Sequence, residues 1–450
     1  MRASHRVLCC AITVVIAIAG RSSTETYAQE AKVRRGRALF EKTWTPAHDP
    51  APTPDGLGPL FNERSCIACH SLGGIGGAGP AEKNIDLLTP TVRPGELPPP
   101  DIAVRLEAIH PALEGASSIV LHRFSTNTRP YEAFRNELLG LIATIEPAST
   151  RPANSARTTL RKSRGTWLKT IEHNDTRFVW SQRNTTPLFG LGRIARISEA
   201  EINAVAFGQQ QENPAVSGRF TGRFGWRGQI DNLSSFVRAA CATELGLRVA
   251  THDQAIDPLM ASHQERFQRK VDLTHGECNE LTAYVAALPI PQRIVPPDRL
   301  QIRQIGRGEA LFDSIGCAVC HRQKLGQVVG LYSDLLLHDM GACLSDPSPA
   351  PAGPSIDRRR SAYGSLLPIN EESLADERRR EWKTPPLWGL RDSGPYLHDG
   401  RAETIEEAVI DHGGEATDSA RLFQALPVGD RAQLLAFLTS LAAPDPATLR

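Results

Sequence analysis

Two stretches of the chain carry apolar residues at the same helical spacing. Leu281, Tyr284, Val285 and Leu288 stand at i, i+3, i+4 and i+7, and Leu434, Phe437, Leu438 and Leu441 repeat the interval. That period lines one face of a helix with apolar side chains, so an amphipathic helix is expected over Glu280–Pro289 and another over Gln433–Leu441. Three further blocks recur in the same order. Gly36-Arg37-Ala38-Leu39-Phe40 is echoed by Gly308-Glu309-Ala310-Leu311-Phe312, each a short helix start ahead of a Cys-x-x-Cys-His motif. Pro187-Leu188-Phe189-Gly190-Leu191 is echoed by Pro386-Leu387-Trp388-Gly389-Leu390. Trp226-Arg227-Gly228, leading to Leu233 and Val237, is echoed by His398-Asp399-Gly400, leading to Ile405 and Val409.

Repetition of whole blocks in fixed order is the signature of duplication. The pattern predicts a mainly α chain of two homologous domains, 29–295 and 296–450, joined by the proline-rich stretch 289–300. The first is enlarged by loop insertions around 46–59, 71–100 and 148–165, rich in Pro and Gly or in polar residues, which read as loops over a ligand crevice.

The length of 450 residues suits two or three domains, and 40% apolar content suffices for full cores. Lys plus Arg number 51 against 50 Asp plus Glu, so nothing points to nucleic acid or an anionic membrane as the main partner. Residues 1–28 read as a secretory signal peptide: Arg2 and Arg6 precede an apolar run from Val7 to Ala19, and the segment ends Tyr27-Ala28. That run is shorter than the ~20 residues of a spanning helix, and no later segment is apolar for long enough. A periplasmic protein with no membrane span in its mature chain is expected. Arg358–Arg360 and Arg378–Arg380 read as solvated faces, or as a docking patch for an acidic electron donor.

Cysteine carries the chemistry. Cys9 and Cys10 lie in the signal. Of the remaining seven, four form Cys66-Ile67-Ala68-Cys69-His70 and Cys317-Ala318-Val319-Cys320-His321. Two thiols one helical turn apart can add to the two vinyl groups of a haem, and the next histidine then points at the iron. A zinc site would need further Cys or His at zinc spacing, which neither motif has, and a redox CxxC would sit in a βαβ context. Two covalently bound c-type haems are therefore expected, with His70 and His321 as proximal ligands. Cys241 and Cys278 are expected to form a disulfide, leaving Cys343 without a role.

For the second iron, His412, at the end of the run from Thr404 and before Gly413-Gly414, is the expected distal ligand, with Met340 and His338 as competitors; Met260 is the one other methionine of the mature chain. The equivalent place in the first half is Ala240, which ligates nothing, and one turn further lies Glu244. The first haem is thus expected to be open on its distal side, or closed by His122 or His110. A carboxylate beside an open iron can shuttle a proton between peroxide oxygens; Glu244 reads equally as a helix-surface carboxylate. Trp226 reads either as core packing or as an electron relay between haems. His398 is expected at a haem edge, with an iron ligand or a turn residue as the other readings.

These residues resemble the bacterial di-haem cytochrome c peroxidases and their relatives, which include the di-haem enzymes that mature amine dehydrogenases. Tyr332 to Gly341, Trp382 to Leu390, Pro395 to Arg401 and His412-Gly413-Gly414-Glu415 are similar to the di-haem oxidoreductase subfamily, often labelled a thiol oxidoreductase. The resemblance implies two cytochrome c folds, with Trp226 between the haems, Glu244 at the catalytic position, and His412 at the distal position of an electron-accepting second haem, where relatives carry methionine or tyrosine. It also brings in one calcium ion at the domain interface, for which Ser393 and Pro395 match but no first-half asparagine stands out. The implied function is a peroxidase-like oxidoreductase that passes electrons from the C-terminal haem to peroxide, or to a small or protein substrate, at the N-terminal haem. The expected donor is a small periplasmic protein or a quinol-linked donor. The alternative is a non-enzymatic di-haem electron-transfer cytochrome.

Overall fold

The computed structural model describes residues 26–449 apart from 47–53, 55, 92–100, 111–112, 114–117, 144–168, 174–175, 253, 256, 260–269 and 347–376. Most of the signal segment, Met260 and Arg358–Arg360 lie outside the described residues.

Helices carry the haem motifs. In the first half a helix over 26–41 packs on His275–Ala287, and in the second Arg299–Ser314 packs on Val428–Thr439. Both crossings depend on a glycine. A Cβ on Gly36 would stand 1.9 Å from the Glu280 carbonyl oxygen, and one on Gly308 would stand 2.0 Å from that of Gln433, so only the missing side chain lets the backbones approach. Beside them, Phe40 packs on Tyr284 at 5.2 Å and Phe312 on Phe437 at 5.3 Å between ring centres. Burying each such ring contributes roughly 1.5–3 kcal/mol.

The duplicated loops also take one shape. Phe224 and Ile230 form an antiparallel bridge around Trp226, as Tyr396 and Ala402 do around His398. Gly228 and Gly400 turn the two loops at φ of 60° and 72°, conformations that glycine adopts without strain. After each loop a capped helix begins: Asn232 accepts from Ser235 N–H, and Thr404 accepts from Glu407 N–H in a capping box.

The first half departs from the mainly helical expectation. Strands Ile119–Val120, Ile85–Thr91, Thr176–Arg183 and Lys169–His173 form an antiparallel sheet in that order. Helices Ile102–Ile109 and Thr128–Ala143 cover it, burying Leu106, Ile109 and Leu138 against Leu88, Phe178 and Trp180. Part of 71–100, expected as loop, is therefore a strand. Pro90 is tolerated there because Ile119–Val120 pairs only with Leu87 and Leu88, leaving that part of the strand at an edge. The sheet positions the site: Thr176–Arg183 delivers Arg183, Asn184, Thr185 and Thr186 to the first cavity.

Cys241 and Cys278 are both buried and unbonded, which corrects the expected disulfide. No helix among the described residues is long and apolar enough to cross a membrane.

Candidate functional site

The first motif opens on a cavity of about 1090 Å³ of empty space, part of it open to solvent. Cys66, Cys69 and His70 line one side, from the helical turn Cys66–Cys69. Phe236, Val237, Ala240, Cys241 and Glu244, all on the helix Leu233–Glu244, line another, together with Trp226. Among the described residues, His70 is the one histidine in the lining, which includes no methionine. Its Nδ1 donates to the Gly77 carbonyl at 3.0 Å, which leaves Nε2 as the lone-pair nitrogen that a metal requires. Burial pulls the imidazole pKa down to about 4, so the ring is neutral at neutral pH.

The second motif is built alike and closed differently. His321 Nδ1 donates to the Tyr332 carbonyl at 3.0 Å, and His412 Nδ1 donates to Ala408 at 2.7 Å. The two ring centres lie 6.4 Å apart with their planes inclined at 56°. With Nδ1 of each ring engaged, Nε2 is the nitrogen that could hold a metal, and a separation of this order would leave room for one ion between the rings. Burial makes both rings neutral.

His338, a competing ligand by sequence, is committed elsewhere. Its Nε2 lies 2.9 Å from Asp334 Oδ2 and its Nδ1 2.7 Å from Glu415 Oε2. Two carboxylates hold the ring protonated, against burial, which acts the other way. Neither nitrogen is left for iron. Asp334 also accepts from Gln209, and Glu415 from Ser217, so the cluster ties the second motif to the first half. Cys320, Asp334 and His338 come close enough together to suggest a metal site. The thiol belongs to the Cys-x-x-Cys-His motif and the imidazole is held as a cation, so the set does not suit a metal ion.

His122 is not brought to the first cavity. Its Nε2 lies 2.8 Å from the Thr243 carbonyl, behind the helix that carries Glu244, and neither His122 nor His110 lines the cavity. With Nε2 donating to that carbonyl, Nδ1 is the nitrogen left with a lone pair, and it is buried without a hydrogen-bond partner, but the ring does not line the first cavity. Glu244 lines the first cavity, and its Oε2 accepts from Asn62 Nδ2 at 2.8 Å.

His398 is buried in a ring stack rather than in the first cavity. It lies flat on Trp382, centres 3.6 Å apart, and meets Trp226 edge-on. Arg227 covers the other part of the stack, 4.0 Å from the Trp382 ring centre. Burial, with Arg183, Arg401 and Arg227 adding repulsion, holds His398 neutral.

Two residues were missed by the sequence reading. Trp382 is the flat partner of His398. Asn184 donates from Nδ2 to the Pro395 carbonyl across the two halves, and its Oδ1 is buried with no hydrogen-bond partner. The signal for Asn184 lay in its position just before Thr185-Thr186-Pro187, matching Lys383 before Thr384-Pro385-Pro386.

The motif thiols are poor exchange nucleophiles. Burial pushes Cys66, Cys69 and Cys317 up to about 12, far from the thiolate that disulfide exchange requires.

Residues 369–441 match the family described as "Di-haem oxidoreductase, putative peroxidase". The chain is 34% identical over 151 residues to the methylamine utilization protein MauG of Methylorubrum extorquens, covering 32% of this chain and 35% of that protein. It is 28% identical over 158 residues to the cytochrome-c peroxidase IdrP1 of a Pseudomonas species, covering 31% and 40%. The matched segments thus span well under half of each relative. Among solved structures, the hydrazine synthase of Kuenenia stuttgartiensis aligns at 19% identity and TM-score 0.31, over 58% of this chain and 73% of that one. A MauG-like protein associated with microbial copper homeostasis aligns at 17% and 0.24, over 39% and 54%.

Proposed function

We propose that the chain is a member of the di-haem cytochrome c peroxidase superfamily, a reading that the partial matches support, and that it is a periplasmic di-haem oxidoreductase that reduces peroxide, or oxidises a substrate, at its first haem. The observation that carries the reading is the inequality of the halves. Where His412 faces His321 in the second, Ala240 stands in the first, and Glu244 lines the same cavity.

The donor sets fit covalent haem. Each motif offers two unbonded thiols and a neutral histidine whose Nδ1 is held by a carbonyl. The haem at His70 would supply the iron at which a peroxide O–O bond breaks. Glu244 would take the proton from one peroxide oxygen and return it to the leaving oxygen, which departs as water; the reduction as a whole takes two electrons from the donor and two protons and yields two waters. Asn62 holds that carboxylate in place. Hydrophobic residues of the helix Leu233–Glu244 exclude bulk water. His321 and His412 would hold a second haem, which would supply single-electron transfer, with Trp226 as the relay residue between the halves. The two domains, 29–295 and 296–450, each hold one haem.

The same reading includes a calcium ion between the halves. The Asn184 amide and the Pro395 carbonyl meet there, with Ser393 two residues before. An amide turned to present its oxygen would give the ion two oxygens from opposite halves. The electron donor is a small periplasmic protein or a quinol-linked donor. Purification from a host that attaches c-type haem, followed by haem counting and peroxide turnover with a reduced donor, tests the reading. It requires two haems per chain and turnover; two haems without turnover would favour an electron carrier instead.

A further inference from the structure

A second cavity, enclosing about 640 Å³ of empty space, lies between the halves. Equivalent segments line it from both: Thr186, Pro187 and Phe189 from the first, Pro385, Pro386 and Trp388 from the second, with Trp226 beside them. Two of its polar groups lack natural partners. Lys383 lines it, and the one bond of its ammonium is to the Arg223 carbonyl at 2.7 Å. No carboxylate among the described residues pairs with it: Glu381, two residues earlier, pairs with Arg219, and Asp231 pairs with Arg223. Burial alone pushes the lysine down to about 8, with no acidic neighbour to raise it. The indole Nε1 of Trp388, a residue 4% exposed, is buried without a hydrogen-bond partner. A half-buried cation without a counter-ion and a buried donor without an acceptor are both unfavourable. An anion held in the cavity would supply a partner for such groups.

We propose that this cavity is a carboxylate site, in which Lys383 supplies the counter-charge and Trp388 a second donor. The carboxylate comes either from a propionate of a haem bound in the neighbouring motifs or from a free small-molecule acid that enters between the halves. Arg223 is not the anchor, because its guanidinium is engaged by the Ile197 carbonyl and Asp231. The aromatic walls Phe189, Phe224, Phe236 and Trp388 suit a planar acid.

The propionate source rests on the haem loading proposed above, so the test begins by counting haem. The fully haem-loaded protein and its Lys383→Gln and Lys383→Arg variants are compared by spectroelectrochemistry and by calorimetric titration with benzoate. If the partner is a propionate, Lys383→Gln lowers the reduction equilibrium constant of one haem at least tenfold, about 59 mV for a one-electron couple. This follows because a nearby cation favours the reduced iron. Lys383→Arg preserves the potential, and benzoate does not bind. If the partner is a free acid, benzoate binds the native protein saturably, Lys383→Gln weakens it at least tenfold, and Lys383→Arg retains it. Equal potentials in Lys383→Gln and native protein, together with no benzoate binding, would overturn the site; haem below two per chain would count against the haem reading instead.

Discussion

Trp226 and His398, which hold equivalent positions in the two repeats, meet edge to face with ring centres 6.5 Å apart at an interplanar angle of 77°. Each is carried by a bridged loop of the same shape, yet their surroundings differ. Trp226 lines both cavities and donates its indole N–H to the Asn184 carbonyl at 2.9 Å. His398 lies under Trp382. Duplication thus brings two like loops together at the middle of the molecule, and divergence has made the contact a chain of rings between unlike sites.

Substituting Glu244→Gln keeps the shape of the side chain and the bond to Asn62, but removes the base. Peroxide turnover is expected to fall by about 10²- to 10⁴-fold, with haem content and visible spectrum unchanged. Stopped-flow mixing with peroxide reads the first and the haem spectrum the second; undiminished turnover would remove Glu244 from the mechanism.

The substitution Ala240→His places in the first half the ligand that the second half already has. The expected outcome is a first haem converted from high-spin to low-spin and loss of turnover, visible by absorbance before any assay. A first haem that stays high-spin would mean that position 240 does not face the iron.

Gly36→Ala and Gly308→Ala should each destabilise the chain, because the added methyl meets a helix carbonyl at about half a normal contact distance. Overpacking of this kind typically costs about 1–3 kcal/mol, read as a lower midpoint in denaturant melts. The two variants should behave alike, since the crossings are copies.

The cluster of His338, Asp334 and Glu415 predicts a pH-dependent contribution to stability. The folded His338 is raised above its ordinary 6.5, so its contribution is full below that value and is lost as pH rises through the folded pKa. Glu415 is lowered from 4.5, so its share is present above that value and fades as pH falls through the folded pKa. His338→Gln should therefore be least stable relative to the native protein near pH 5–6, by about 3 kcal/mol. The gap should narrow in alkaline buffer, and thermal melts across pH measure it. A gap independent of pH would mean that His338 is not held as a cation.

Much of this was legible in the chain because local patterns were repeated. Helical spacing foretold the helices over Glu280–Pro289 and Gln433–Leu441, and the aligned blocks paired the loops of Trp226 and His398; Gly36 and Gly308, expected at helix starts, instead lie inside helices and set the crossings. What escaped depends on contacts distant in sequence. The strand Ile85–Thr91 pairs with Thr176–Arg183, and a proline-marked segment whose partner lies so far along the chain offers no local sign of a sheet. Asn184 gains meaning only when Pro395 faces it. His412 was the expected ligand of the second iron with His338 as a competitor, and the two carboxylates that engage both ring nitrogens of His338 became visible only in the fold.

The central claim is that one iron is closed by two histidines while the other is open beside Glu244. Electron paramagnetic resonance of the fully haem-loaded protein, oxidised and half-reduced, with and without peroxide, tests it most directly. The account predicts one low-spin signal from the His321–His412 haem and a high-spin signal from the His70 haem that peroxide alters. Two low-spin signals in every state, indifferent to peroxide, would contradict it.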